Sequence, residues 1–217
     1  MSVSVENFLK TVYQFGQDPV QNTRPGNIAR SLEISQAATT DMARNLAGKG
    51  LLKYKPYREL KLTKSGEERA IRVIRKHRLW ETFLFRTLRM SLHEIHREAE
   101  MLEHQTSDFL AGKIAEYLDD PSVDPHGDPI PDHNGILVGD SDSFPLSIAD
   151  AGKKYIISRL KGSSKEFFTF CSRNSILVGS SIHVLQQYPD SGITEAEINS
   201  NVLLLSKDIS SLIQVKC

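Results

Sequence analysis

The segment HREAEMLEH, residues 96–104, crowds two imidazoles and three carboxylates into nine positions. On a helix, at about 100° per residue, His96, Glu100, Glu103 and His104 fall inside an arc of roughly 100°, while Glu98 points elsewhere. Carboxylates three and four positions apart repel one another, so this face needs a positive partner. Carboxylate oxygens and neutral imidazole nitrogens are ligands of divalent first-row metals; a solvated acidic face is the plainer alternative. A second pair favours the metal. His77 and Glu81, in RKHRLWE, stand four apart and share a helix face. Two helices that each carry a His/Glu face can meet in a bundle, a common way to build a metal site.

The elements that must position these residues follow from charge and periodicity. The chain has 217 residues and a formal net charge of zero, yet the charges are sorted along it. Residues 1–80 hold 15 Lys and Arg against 7 Asp and Glu, residues 81–135 hold 4 against 12, and residues 136–217 hold 8 of each. A basic first module points to a polyanion such as nucleic acid, and an acidic second module suits a cation. No apolar run is long enough to span a bilayer and no secretory leader is evident, so a cytoplasmic location is expected. Cys171 and Cys217 lie far apart and away from the His/Glu cluster, which predicts neither a disulfide framework nor a thiolate site.

In the basic module, Ser4 is a candidate cap for a helix with Val5, Phe8, Leu9, Val12 and Tyr13 on its apolar stripe and Gly16 as its stop. A short helix begins at Pro25. A tight link at Glu33 and Ile34 precedes a third helix, QAATTDMARNLAG, capped by Ser35, with Ala38, Met42 and Leu46 recurring every four residues. Its outward residues are small and polar, which lets a helix enter a DNA groove: Ser35, Gln36, Ala37, Thr39, Thr40 and Asp41 can meet base edges or phosphates. Two short strands, LLKY and LKLT, joined through residues 55–59, form a wing whose Lys53, Lys55, Arg58 and Lys61 can grip phosphates. A plain helical hairpin with a solvated basic loop is the alternative.

From about Thr63 a long amphipathic helix begins, helped by a Ser65-x-x-Glu68 capping pattern, and carries His77 and Glu81. Helices from about Ser91 and Ser107 follow. Residues 119–135, rich in Pro, Asp and Gly, read as a loop in which His126 and His133 are polar loop residues and not ligands. Short β-prone runs at 154–158, 181–185 and 202–205, punctuated by glycines, predict a small barrel.

The stretches VENFLKTVY, NIARSLEISQAATTDMARNLAGKGLL, LTKSGEERA, IRKHRLWE, IHREAEMLEHQTSD and DPHGDPIP, in this order over residues 5–131, resemble the diphtheria toxin repressor and manganese transport regulator family of metal-dependent bacterial repressors. LSIADAG and LVGSSIHVL are similar to that family's SH3-like, iron-transport-A-like domain. The resemblance implies an α+β chain: a winged helix-turn-helix over 1–72, a helical metal-binding and dimerisation domain over 73–140, and an SH3-like β-barrel over 145–217. It implies a homodimer on an inverted-repeat operator in double-stranded DNA, with a divalent metal as co-repressor. By carry-over, a primary site uses Asn7, Glu100, Glu103 and His104. An ancillary site uses His77, Glu81 and His96, with Glu166 a candidate from the third domain. Iron-responsive members have Cys at position 100 and manganese-responsive members commonly Glu, so Glu100 leans towards Mn(II), with Fe(II) the alternative; hard oxygen ligands agree. Asn7 stands where the family usually has Met or Asp and offers a neutral carbonyl oxygen. Lys10 replaces a carboxylate of the members with a closely spaced manganese pair, which favours two separated sites.

The expected function is metal-dependent repression of manganese or iron uptake genes. Two rivals remain. A metalloenzyme lacks support, because no H-E-x-x-H occurs and no nucleophile or general base stands apart from the ligands. A metal-independent winged-helix protein would use the acidic helices for dimerisation alone.

Overall fold

The computed structural model describes residues 2–18, 20–56, 58–137 and 142–217. Tyr57, expected in the wing's link, and residues 138–140, expected to end the second domain, lie outside them. The chain divides into two compact units, Met1–His77 with Glu100–Gly112 and Pro131–Ile136, and Arg78–Ala99 with Lys113–Ile130 and Leu137–Cys217.

In the first unit α1 (Val3–Gln17), α2 (Pro25–Ser31) and α3 (Gln36–Gly48) are followed by β1 (Leu52–Lys53) and β2 (Lys61–Leu62), which pair antiparallel with Leu52 opposite Leu62. The apolar stripe of α1 does what its spacing predicts: Val5, Phe8, Leu9 and Val12 join Ile28, Ala43, Leu46, Leu51, Leu52, Leu60 and Ala70 in one core. α1 starts two residues earlier than expected, with Ser2 and not Ser4 at the N-cap position, and runs past Gly16. Glu33, at φ 54, makes the left-handed turn between α2 and α3. Ser35 caps α3, its Oγ accepting from Ala38 N at 3.1 Å. The inward face of α3 differs in part from the expected one: Leu46 lies in the core and Met42 packs against it as expected. Thr39, Ala43 and Leu46 are buried and Ala38 is exposed, because the small Ala43, fully buried, lets the helix approach the core closely.

The long helix α4 (Lys64–Leu88) is capped by Thr63 and not by the Ser65/Glu68 pair. Gly66 N donates to Thr63 Oγ1 at 3.2 Å, while Thr63 N donates to Leu51 O at 3.1 Å and its hydroxyl to Gly50 O at 2.7 Å. The chain entering the wing therefore sets where α4 begins. α5 (Leu92–Leu102) opens on a reciprocal capping box between Ser91 and Glu94, and α6 (Asp108–Tyr117) on Ser107, whose Oγ accepts from Leu110 N.

In the second unit, the expected barrel takes the form of an antiparallel six-stranded sheet. It comprises β3 (Phe144–Pro145), β4 (Lys154–Leu160), β5 (Ser181–Tyr188), β6 (Ile193–Ile198), β7 (Asn201–Ser206) and β8 (Ile213–Lys216), in the order β3-β8-β4-β5-β6-β7. β4, β5 and β7 are the three strands legible from the β-prone runs. α7 (Lys165–Arg173) and α8 (Lys207–Leu212) accompany them. Ile157, Ile182, Val184, Ala196, Leu205, Ile213 and Val215 are fully buried. Among the described residues no helix is long and apolar enough to cross a membrane.

Candidate metal centre

α1 carries Glu6 and Asn7 side by side and Lys10 one turn on, and α5 delivers Glu100 near its C-terminus, with Glu103 and His104 just beyond. In the first unit these groups converge with His77 of α4. Glu103 is 1% exposed. Its Oε2 lies 2.6 Å from His77 Nδ1, and ligand atoms of His77, Glu100 and Glu103 all lie within 4.8 Å of one another. Lys10 Nζ donates to Glu100 Oε1 at 2.7 Å and to both Glu103 oxygens at 2.9 Å. A buried carboxylate is costly unless paired and hydrogen-bonded, and Lys10 supplies both.

His104 is held by Glu6, with Nδ1 2.6 Å from Glu6 Oε2. In the neutral ring, donation from Nδ1 to the carboxylate leaves the lone pair on Nε2, the tautomer in which imidazole ligates a metal. That Nε2 is buried without a hydrogen bond, 3.3 Å from Glu103 Oε1, and Asn7 Oδ1 is likewise a buried acceptor without a donor. Two unsatisfied acceptors and two carboxylates are the donor set that a hard divalent cation takes. The residues fit the metal.

The second unit holds a further group. Glu81 is 2% exposed. Its Oε1 lies 3.1 Å from His96 Nδ1 and 3.5 Å from His126 Nε2. His126 is no polar loop residue: it is buried, its ring centroid 4.9 Å from that of Phe168, because the loop folds inward around Asp124. Asp124 Oδ1 accepts from the backbone N–H of His126 and of Asp128, at 2.8 and 2.9 Å. Burial, joined by the charges of Asp128 and Glu81, pushes the Asp124 carboxyl up to about 8 against the opposing pull of His126 and Arg78. For His126, burial pulls the pKa down, but Glu81, Asp124 and Asp128 outweigh it and raise it. His133 stays exposed in the loop, and Glu166 is exposed in the first turn of α7. His77 stands one turn before Glu81 on α4, as its spacing predicts, and also hydrogen-bonds Glu103. Sequence reasoning missed Glu6, Asp124 and His126. The adjacency of Glu6 to Asn7 was the one available signal, since loop residues show no periodicity.

The DNA-facing candidates also separate. Ser35, Gln36 and Ala37 are exposed at the start of α3, and Thr40 is half-buried with its hydroxyl donating to Gln36 O at 2.9 Å. Thr39 is fully buried and its hydroxyl donates to Ser35 O at 3.1 Å, so it cannot meet a base. The wing leaves Lys53, Lys55 and Arg58 exposed, and these line one depression with Arg24, Glu59 and Lys61.

Fold and site together define a metal-dependent DNA-binding regulator: a winged helix whose first helix shares a ligand cluster with the helical segment that follows. Comparison with known proteins agrees. Residues 1–60 match the N-terminal DNA binding domain of iron dependent repressors, residues 63–132 their metal binding and dimerisation domain, and residues 144–217 the FeoA domain. The diphtheria toxin repressor of Corynebacterium efficiens is 27% identical over 227 residues, covering 98% of this chain and 95% of that protein. A manganese-dependent transcriptional repressor solved in complex with manganese superposes with a TM-score of 0.87 at 27% identity, over 98% of this chain and 99% of that one. The zinc-bound structure of ScaR gives a TM-score of 0.76 at 31% identity, over 98% of each chain. The chain belongs to the iron-dependent, or diphtheria toxin, repressor family of metal-dependent transcriptional repressors.

Proposed function

We propose that the chain is a manganese-responsive repressor of metal-uptake genes, acting in the cytoplasm as a homodimer on an inverted-repeat operator and working by binding, without catalysis. The observation that carries this reading is the shared cluster of α1 and α5, with the buried acceptors Asn7 Oδ1 and His104 Nε2 beside Glu100 and Glu103. Asn7, Glu100, Glu103 and His104 would hold the metal, and Glu81, His96 and His126 are the candidates for a second position. The primary set is rich in oxygen and contains no thiol, which favours manganese over softer ions. Cys171 is remote in sequence, and burial pushes its thiol up to about 12.

The bound cation supplies a double positive charge that carboxylate, amide and imidazole donors from different elements can share. The rest is the chain's own work. Asn7 sits on α1, whose Val5, Phe8 and Leu9 belong to the same core as Ala43 and Leu46 of α3, so the setting of α1 fixes the setting of the recognition helix. Glu100, Glu103 and His104 belong to the segment matched to the dimerisation domain. Joining the two ends selects one spacing of the paired recognition helices, about 34 Å or a multiple for successive major-groove faces. Coupling of this kind typically amounts to about 1–3 kcal/mol.

The test titrates Mn(II), Fe(II) and Zn(II) anaerobically against binding to DNA fragments selected from a random pool by the protein in excess Mn(II). Mn(II) is expected to raise affinity by about 5–150-fold, and His104→Ala to abolish that rise. Binding unchanged by chelation refutes the sensor reading, and a response to Fe(II) alone reassigns the metal. The wing carries its own prediction. Replacing Lys53 and Arg58 together by Ala is expected to lower affinity for every DNA sequence alike, and to flatten the plot of log K against log salt by about 2, roughly one per phosphate contact. A selective loss at particular base positions would instead assign them to base reading.

A further inference from the structure

The carboxylates of the primary cluster are already in the hands of a cation that belongs to the chain. Lys10 is 7% exposed, and its ammonium reaches three carboxylate oxygens, one from Glu100 and two from Glu103, at 2.7–2.9 Å. Both residues are in the set assigned above to the metal. An ammonium in hydrogen-bond contact with those oxygens uses the lone pairs that coordination requires, and its charge opposes the approach of a second cation. Lys10 stands on α1, three residues beyond Asn7, so the competing charge is tethered to the helix that supplies one of the metal's own donors.

We propose that Lys10 is a built-in competitor for the metal: a divalent cation takes Glu100 and Glu103 only by displacing the Lys10 ammonium, and this exchange sets the metal concentration at which the protein responds. The inference rests on the sensor reading and adds a threshold to it. The lysine stem suits the task, since its flexible carbons let the ammonium withdraw without moving the backbone of α1. A tethered cation also keeps the clustered acidic groups from repelling one another when metal is scarce, so one residue both preserves the pocket and raises the metal level needed to claim it. Any divalent ion preferring oxygen meets the same competitor, so Lys10 shifts the threshold for all of them.

Isothermal titration of Mn(II) into the full chain tests this directly, comparing wild type, Lys10→Met and Lys10→Arg. Met matches the length of the stem without its charge and is expected to tighten Mn(II) binding at least tenfold, with the half-saturating Mn(II) for DNA binding falling by the same factor. Arg keeps a cation on the carboxylates and is expected to stay within about threefold of wild type. An unchanged or weaker affinity in Lys10→Met overturns the competitor role while leaving the sensor reading intact, provided wild type still responds to Mn(II). Binding by neither protein overturns both readings. Binding by Lys10→Met alone supports displacement and removes the sensor role from the natural chain. Should Lys10→Met fail to fold without metal, Lys10→Gln, whose amide still donates to a carboxylate, reads the same shift on a smaller scale.

Discussion

Gly66→Ala is expected to destabilise the DNA-binding unit by about 3 kcal/mol or more, the upper range for overpacking at a site that cannot relax. A Cβ at position 66 would lie 2.0 Å from Leu51 O and 3.1 Å from Leu51 C. Neither neighbour can yield cheaply. Leu51 O accepts from Thr63 N at 3.1 Å, and Leu51 is itself 4% exposed in the core. Retreat of the helix would pull Gly66 N from its bond to Thr63 Oγ1 and so undo the cap of α4. Gly48→Ala is the matched control: nothing lies within 4 Å of its Cβ, and the residue ends α3. Ala is the better helix former, so this change is expected to be neutral or stabilising by up to about 1 kcal/mol. Urea unfolding of the two variants checks the contrast, and equal stabilities would mean that the close approach of α4 to Leu51 carries no weight.

The same contact shows why the sequence disclosed some features and hid others. Local signals read well. Ser35, Ser91 and Ser107 all cap the helices they precede, and the apolar stripe of α1 predicted its buried face. Signals set by tertiary position did not. The start of α4 near Thr63 was legible, but the cap was not: Ser65 and Glu68 had the spacing of a capping box, while the bonds from Thr63 to Gly50 and Leu51 made Thr63 the cap, two residues earlier. The stripe of α3 was right at Met42 and Leu46 and wrong at Ala38, since only the fit against the core decides between Ala38 and Thr39. Within the metal cluster, the spacing of Glu100, Glu103 and His104 announced a cation. It could not say that Lys10, 90 and 93 residues away, would reach both carboxylates. His126 was hidden for a different reason: its burial depends on Asp124 gathering two loop N–H groups, a local turn that leaves no periodic trace.

Glu103 is where stability and the proposed sensing meet, and its removal is expected to damage both. Its side chain is fully buried, with Lys10 Nζ on both oxygens and His77 Nδ1 on one. Glu103→Ala leaves the Lys10 ammonium, itself 8% exposed at the side chain, without its buried counter-charge, keeping the contact with Glu100, which is 35% exposed at the side chain. Breaking a buried pair in this way costs about 3–5 kcal/mol, because the surviving charge stays desolvated. Loss of the Mn(II) response in Glu103→Ala alone would therefore be ambiguous. The double variant Glu103→Ala/Lys10→Met removes the stranded charge as well, and the two sites are in contact, so their effects should not add. Measured by urea unfolding in chelator, the double variant is expected to recover about 2 kcal/mol or more relative to Glu103→Ala. It is not expected to recover Mn(II) binding, since a ligand is still missing while the competitor is gone. Stability restored together with the metal response would show that Glu103 serves only to hold Lys10, and that the metal, if bound, is held by other residues.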